Sequence, residues 1–121
     1  MDIIDNLKIE LTKLDEVQFA YLFGSYSKNK QTDKSDIDIA VYLTDICLDT
    51  QLQVNYILSK RLNKDIDITL LNSAKNLYLL DNIFKNGIVL KENEALRFDF
   101  ELKKEHDIFD FKESRKLIDA A

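Results

Sequence analysis

The sequence predicts a small α/β protein: a mixed sheet with helices packed on one of its faces, and one or more further helices at the C-terminal end. Three observations predict it. Segments 36–43 and 66–71 alternate apolar and polar residues with period two, as half-buried strands do. Segment 17–23 is rich in β-formers and stops abruptly at Gly24. At 3–14, 48–62 and 76–86, apolar residues instead recur at helical spacing. With 121 residues the chain has room for one core and not two, so residues 1–121 are expected to form a single domain.

Taken in order, Ile3, Ile4, Leu7, Leu11 and Leu14 form one helical stripe. Val17 to Phe23 reads as a strand running into a turn, and 28–35 as a polar loop. In 36–43, Ile37, Ile39, Val41 and Leu43 point one way, and Asp36, Asp38, Ala40 and Tyr42 the other. The interval between these two strands is too short for a helical crossover, which predicts antiparallel pairing. An amphipathic helix follows over 48–62. In 66–71, Ile66, Ile68 and Leu70 face the core, with Asp67 and Thr69 opposite. The helix at 76–86 is stopped by Gly87, expected in the position just past the helix end. Segment 88–90 reads as a short edge strand. From about 94 to 119 the pattern is one long charged helix, or two with a break near Asp107. Helices on one sheet face leave the acids exposed on the other.

Composition narrows the function. A chain 45% hydrophobic and 32% charged is globular, not disordered. No apolar run approaches bilayer length and no signal peptide is visible, which predicts a cytoplasmic protein without membrane contact. The single cysteine, Cys47, excludes an internal disulfide, fits a reducing compartment and is expected as a half-buried thiol. A net charge of -5 argues against a general nucleic-acid binder. It leaves a nucleotide substrate open, because a bound cation reverses the local sign at a carboxylate site. The one histidine, His106, reads as a surface residue on a charged helix, so a mechanism built on histidine has little material.

The chemistry concentrates in a few residues. Alternation puts Asp36 and Asp38 on one face with Ile37 buried beneath, and Asp67 has the same setting between Ile66 and Ile68. Three carboxylates on neighbouring strands repel one another. A hard divalent cation, Mg2+ above all, relieves that repulsion and also binds phosphate oxygens. Two such ions about 3.5–4 Å apart can hold the attacking and leaving oxygens of an in-line phosphoryl displacement. Gly24 and Ser25 complement the acids. A glycine at a strand end lets backbone approach a ligand, the N–H groups of the turn can hold phosphate, and Ser25 adds a hydroxyl donor. Asp65 shares a face with Asp67 and competes for the third position, although an exposed turn acid is the ordinary reading so near a strand start. Any one of these acids alone would be a solvated strand edge; the set is what points to a metal and triphosphate site.

With Gly24-Ser25, ten intervening residues, Asp36-Ile37-Asp38, and a separate acid in Asp65-Ile66-Asp67-Ile68, the chain resembles the DNA polymerase β-type nucleotidyltransferase superfamily. Within it, the chain is most similar to the minimal nucleotidyltransferases (MNT), the antitoxin partners of HEPN ribonuclease toxins. The similarity covers about residues 17–91, the catalytic core, with the C-terminal helical segment beyond it. One departure is Asn29, which stands where a glycine is common; asparagine tolerates left-handed backbone. The resemblance implies that Asp36 and Asp38 ligate two Mg2+ ions carrying the ATP phosphates. It implies that Asp67 completes the metal site and accepts the nucleophile's proton, and that Gly24 and Ser25 grip the triphosphate. The implied reaction is attack by a hydroxyl on the α-phosphate, leaving AMP on the acceptor and releasing pyrophosphate. In the MNT antitoxins of such type VII-like systems the acceptor is a tyrosine of the cognate HEPN toxin, which is silenced. The resemblance therefore implies a toxin partner held in a hetero-oligomer, and no direct nucleic acid.

Two rivals stand beside this reading: a nucleotidyltransferase acting on a small molecule such as an aminoglycoside, and a non-catalytic antitoxin that inhibits by binding. The first usually needs extra domain material to enclose its acceptor; the second has no use for three intact acids. Lys28, Lys30 and Lys34 either neutralise triphosphate charge or meet an acidic partner, if they are not simply a solvated loop. Helical spacing puts Phe98, Leu102 and Phe109 near one face of the last segment and Phe100, Ile108 and Phe111 near another, for packing or for a partner.

Overall fold

The computed structural model describes residues 2–24 and 36–120, with side chains as far as residue 114. Helix α1 (Ile3–Thr12) is capped by the Asp2 carboxylate, which accepts from the Asp5 N–H at 2.9 Å. Strands β1 (Val17–Phe23) and β2 (Ile37–Leu43) follow, then helix α2 (Leu48–Leu62) and strand β3 (Ile66–Leu70). A short 3-10 turn (Leu71–Ser73) leads to helix α3 (Leu77–Asn86), strand β4 (Ile88–Lys91) and helix α4 (Glu94–Ala120). The strands form one mixed sheet in the order β3-β2-β1-β4. β1 is antiparallel to both β2 and β4, whereas β2 and β3 are parallel. A parallel neighbour requires a long crossover, and α2 provides it.

The mixed α/β fold with a short edge strand at β4 is as the sequence predicts, but helices cover both faces of the sheet, not one. α1 and α2 pack Leu7, Leu11, Val54 and Leu58 onto Leu22, Ile37, Ile39, Val41 and Leu43. On the other side, α3 and α4 pack Leu80, Ile83 and Ile108 onto Phe19, Tyr21 and Ala40. The physical reason lies in β1. As a central strand it is apolar on both sides, with Ala20 and Leu22 facing one layer and Phe19 and Tyr21 the other. The second layer is aromatic. Phe19 stacks on Tyr42 with ring centroids 4.9 Å apart, and Phe100 of α4 lies 5.8 Å and 5.5 Å from those two rings. This roof stops short of the acids on the same face: Asp36 and Asp67 are exposed and Asp38 is half-buried.

Three smaller features refine the expectation. Gly87 stops α3 where the sequence places the helix end, in ordinary extended backbone (φ −72°). Glycine is needed there for space, since a Cβ would collide with the Ile83 carbonyl oxygen. The left-handed helix end belongs to α2, at Asn63 (φ 52°). Cys47 is exposed, not half-buried, because it sits at the N-cap of α2, where its Sγ lies 3.3 Å from the Thr50 hydroxyl. α4 is a single helix with no break at Asp107. It turns Phe100 and Ile108 inward and leaves Phe98, Leu102 and Phe109 exposed, as helical spacing separates them, but Phe111, grouped by spacing with the inward pair, is exposed beside Tyr78.

Candidate functional site

β1 ends, and β2 and β3 begin, at the same edge of the sheet, so the residues singled out by the sequence meet there. Asp38 pairs with Phe23 across the antiparallel ladder and with Asp67 across the parallel one. Parallel partners in register present their side chains on the same face, which sets the Asp38 and Asp67 carboxylates side by side. Asp36 lies just before the first residue of β2 on the same side of the pleat. Asp65 is exposed, and its carbonyl accepts the Ile37 N–H at 3.0 Å, so its backbone ties β3 to β2 at the outermost rung. Ser25 and the loop residues Lys28, Asn29, Lys30 and Lys34 lie outside the described residues.

The charges are coupled. Burial, then Asp67, then Asp36 push the Asp38 carboxyl above the usual carboxylate range. Asp38 therefore resists ionising without a cation nearby. Gly24 touches it directly. Its φ of +75° is a left-handed conformation that side chains disfavour, and a Cβ there would fall on Asp38 Oδ2 and lie 3.1 Å from Cγ. The sequence marked Gly24 as a place for backbone to approach a ligand. The fold gives it an additional task, making room for a carboxylate.

Among the described residues no three acids, histidines or cysteines form a ready-made cation cage. The arrangement is an open edge of carboxylates. Mg2+ suits such an edge, because it is usually held by one or two carboxylates together with substrate phosphates and water, not by an all-protein shell. The donor chemistry therefore fits the ion, with Asp36, Asp38 and Asp67 as the groups able to hold it. His106 is exposed on α4, 3.8 Å from Asp110. Its surroundings are those of a surface residue.

One contact at this edge went unmarked in the sequence. Asn55 of α2 donates from Nδ2 to the Ile66 carbonyl at 3.0 Å, and the Ser59 hydroxyl donates to Asn55 Oδ1 at 3.1 Å. The available signal was two polar residues four apart, each one position beyond a core residue of the helix, Val54 and Leu58.

The family model for polymerase beta nucleotidyltransferases matches residues 5–96, three quarters of the chain and every strand of the sheet. This chain belongs to that family. The nucleotidyltransferase is 35% identical over 90 residues to the candidate protein adenylyltransferase MJ0126 of Methanocaldococcus jannaschii, covering 74% of this chain and 92% of that one. It is 37% identical over 73 residues to the protein adenylyltransferase MntA of Shewanella oneidensis, covering 59% of this chain and about half (52%) of MntA. Among solved structures it resembles one chain of a toxin–antitoxin complex crystallised with AMP-PNP, at a TM-score of 0.76 and 29% identity over 94% of each chain. No helix among the described residues is long and apolar enough to cross a membrane.

Proposed function

We propose that this nucleotidyltransferase is a protein adenylyltransferase and antitoxin, which moves AMP from ATP onto a tyrosine hydroxyl of a cognate HEPN toxin and so inactivates it. The observation that carries the reading is the in-register pair Asp38 and Asp67, with Asp36 close enough to act on Asp38, beside the glycine that ends β1. The names of its relatives, protein adenylyltransferases and a toxin–antitoxin complex, support the protein acceptor over a small molecule.

In this reading Asp36, Asp38 and Asp67 hold Mg2+, and Gly24 and Ser25 meet the triphosphate. Bound Mg2+ supplies charge neutralisation at the phosphates, which lets an anionic triphosphate enter an acidic edge. The tyrosine oxygen forms a bond to the α-phosphorus while the bond from that phosphorus to the bridging α,β-oxygen breaks. Pyrophosphate leaves with that oxygen, and the hydroxyl proton passes to the Asp67 carboxylate. Asp67 suits this task because it is exposed at the edge strand, where an acceptor can reach it, whereas Asp38 is half-buried. The setting is the cytoplasm, as a hetero-oligomer with the toxin.

The test is transfer from α-labelled ATP, with Mg2+, to the protein product of the neighbouring gene. Label should appear on that protein, and Asp36→Asn with Asp38→Asn should abolish transfer while leaving the complex intact. Toxin neutralised equally well by this double variant would instead establish inhibition by binding. Label on an antibiotic but not on the protein would establish the small-molecule activity.

A further inference from the structure

We infer that Asn55 and Ser59 of α2 are positioning residues for Asp67, acting through the peptide that joins Ile66 to Asp67; this rests on the reading of Asp67 given above. β3 is an edge strand, paired with β2 on one side only. In the parallel register, Ile37 lies opposite Ile66, and its N–H bonds the Asp65 carbonyl. The backbone groups of Asp65 and Asp67 therefore turn inward to β2, and those of Ile66 turn outward, where the described residues place no further strand. Asn55 meets the outward Ile66 carbonyl at 3.0 Å, from a part-buried position. Ser59, donating to Asn55 Oδ1 at 3.1 Å, fixes which end of the amide faces the strand.

The Ile66–Asp67 peptide is thus gripped from both sides, its N–H by β2 and its carbonyl by α2. A peptide held at both ends cannot roll about the strand axis, and that roll is the motion that would swing the Asp67 carboxylate away from Asp38. An edge strand lacks the second neighbour that ordinarily prevents rolling, so here a helix side chain takes that place. The same helix is the crossover that makes β3 parallel to β2. One element therefore brings Asp67 to the site and also aims it.

The experiment uses the full chain with Asn55→Leu, an uncharged replacement of similar shape, and Ser59→Ala as the milder second variant. Three quantities are read: steady-state AMP transfer to the toxin, the Mn2+ concentration for half-maximal binding followed by paramagnetic relaxation, and hydrogen exchange of the Asp67 amide. Asn55→Leu should lower kcat and weaken Mn2+ binding about 10-fold, the lower end for a group that orients a metal ligand. With Mg2+ saturating, KM for ATP should stay within about 2-fold, because Asn55 aims a reacting group and does not itself touch the nucleotide. Exchange at the Asp67 amide should speed up in the same variant, and Ser59→Ala should show each effect in smaller measure. A lowered Tm with kcat and Mn2+ binding unchanged would overturn the inference and leave Asn55 a stabilising contact only; unchanged exchange at Asp67 would overturn it as well. If the wild-type chain transfers no AMP, the functional reading fails by itself, and the exchange arm still shows whether the peptide is gripped.

Discussion

The contact between Gly24 and Asp38 makes a sharp prediction for Gly24→Ala. The backbone at Gly24 has φ +75°, and placing an alanine in left-handed backbone costs about 1–2 kcal/mol. With about 2.1 cal/mol/K of unfolding entropy per residue over 121 residues, that lowers Tm by about 4–8 °C. The new Cβ would also fall on Asp38 Oδ2. Either the carboxylate or the end of β1 must retreat by about 1 Å, a displacement able to cost about 100-fold in rate when the group holds reacting atoms. The two effects separate in a cycle with Asp38→Ala, which removes the carboxylate and leaves only its Cβ, 3.3 Å from the position of the new methyl. In that background Gly24→Ala should cost only the backbone part, and the difference between backgrounds measures the contact. Thermal unfolding supplies the stabilities and labelled AMP transfer the rates. An identical cost in both backgrounds, or a wild-type kcat in Gly24→Ala, would refute the argument.

Two further predictions concern pH. Because the Asp38 carboxyl is held above its ordinary range in the folded chain, its contribution to stability is complete below the unfolded aspartate pKa and is lost as pH rises through the folded one. Without divalent ions, Tm should therefore fall across the region just above the usual carboxylate range; Asp38→Asn should flatten that fall and Mg2+ should oppose it. An unchanged pH slope in Asp38→Asn would count against the coupling. Asp81 of α3 has the opposite sign. The hydrogen bond from Lys112 of α4, at 2.8 Å, and a second from Lys85 hold its carboxyl below the ordinary value. Its contribution is present above the unfolded pKa and is lost as pH falls through the folded one. Lys112→Met should therefore reduce the acid sensitivity of unfolding, read as a shallower loss of Tm on acidification.

Much of this site is legible without coordinates, because strand alternation is a property of neighbouring residues. Ile37, Ile39, Val41 and Leu43 fall on one side and Asp36 and Asp38 on the other whatever the strands later meet. The apolar β-branched setting of Asp67 marked it in the same way. The second helical layer was less visible, although its signal was present: the run from Val17 to Phe23 is apolar at nearly every position, as a strand buried on both faces must be. The expectation of helices on one side came instead from the half-buried alternation of 36–43 and 66–71. Gly87 stops α3 where the sequence places the helix end, but the need for glycine there, the close approach of the Ile83 carbonyl, depends on the exact path of the chain.

The amino-acid order by itself determined which residues are strands, which acids share a face and which class of chemistry they suit, since these follow from local periodicity and from the repulsion of like charges. Tertiary structure alone decided that Asp67 stands in register with Asp38, that Gly24 leaves room for the Asp38 carboxylate, and that Asn55 reaches the Ile66 carbonyl. Each of those joins segments separated along the chain by a loop or a helix. Their distances are set by how the sheet closes and the helices pack, which no pattern within a single segment encodes.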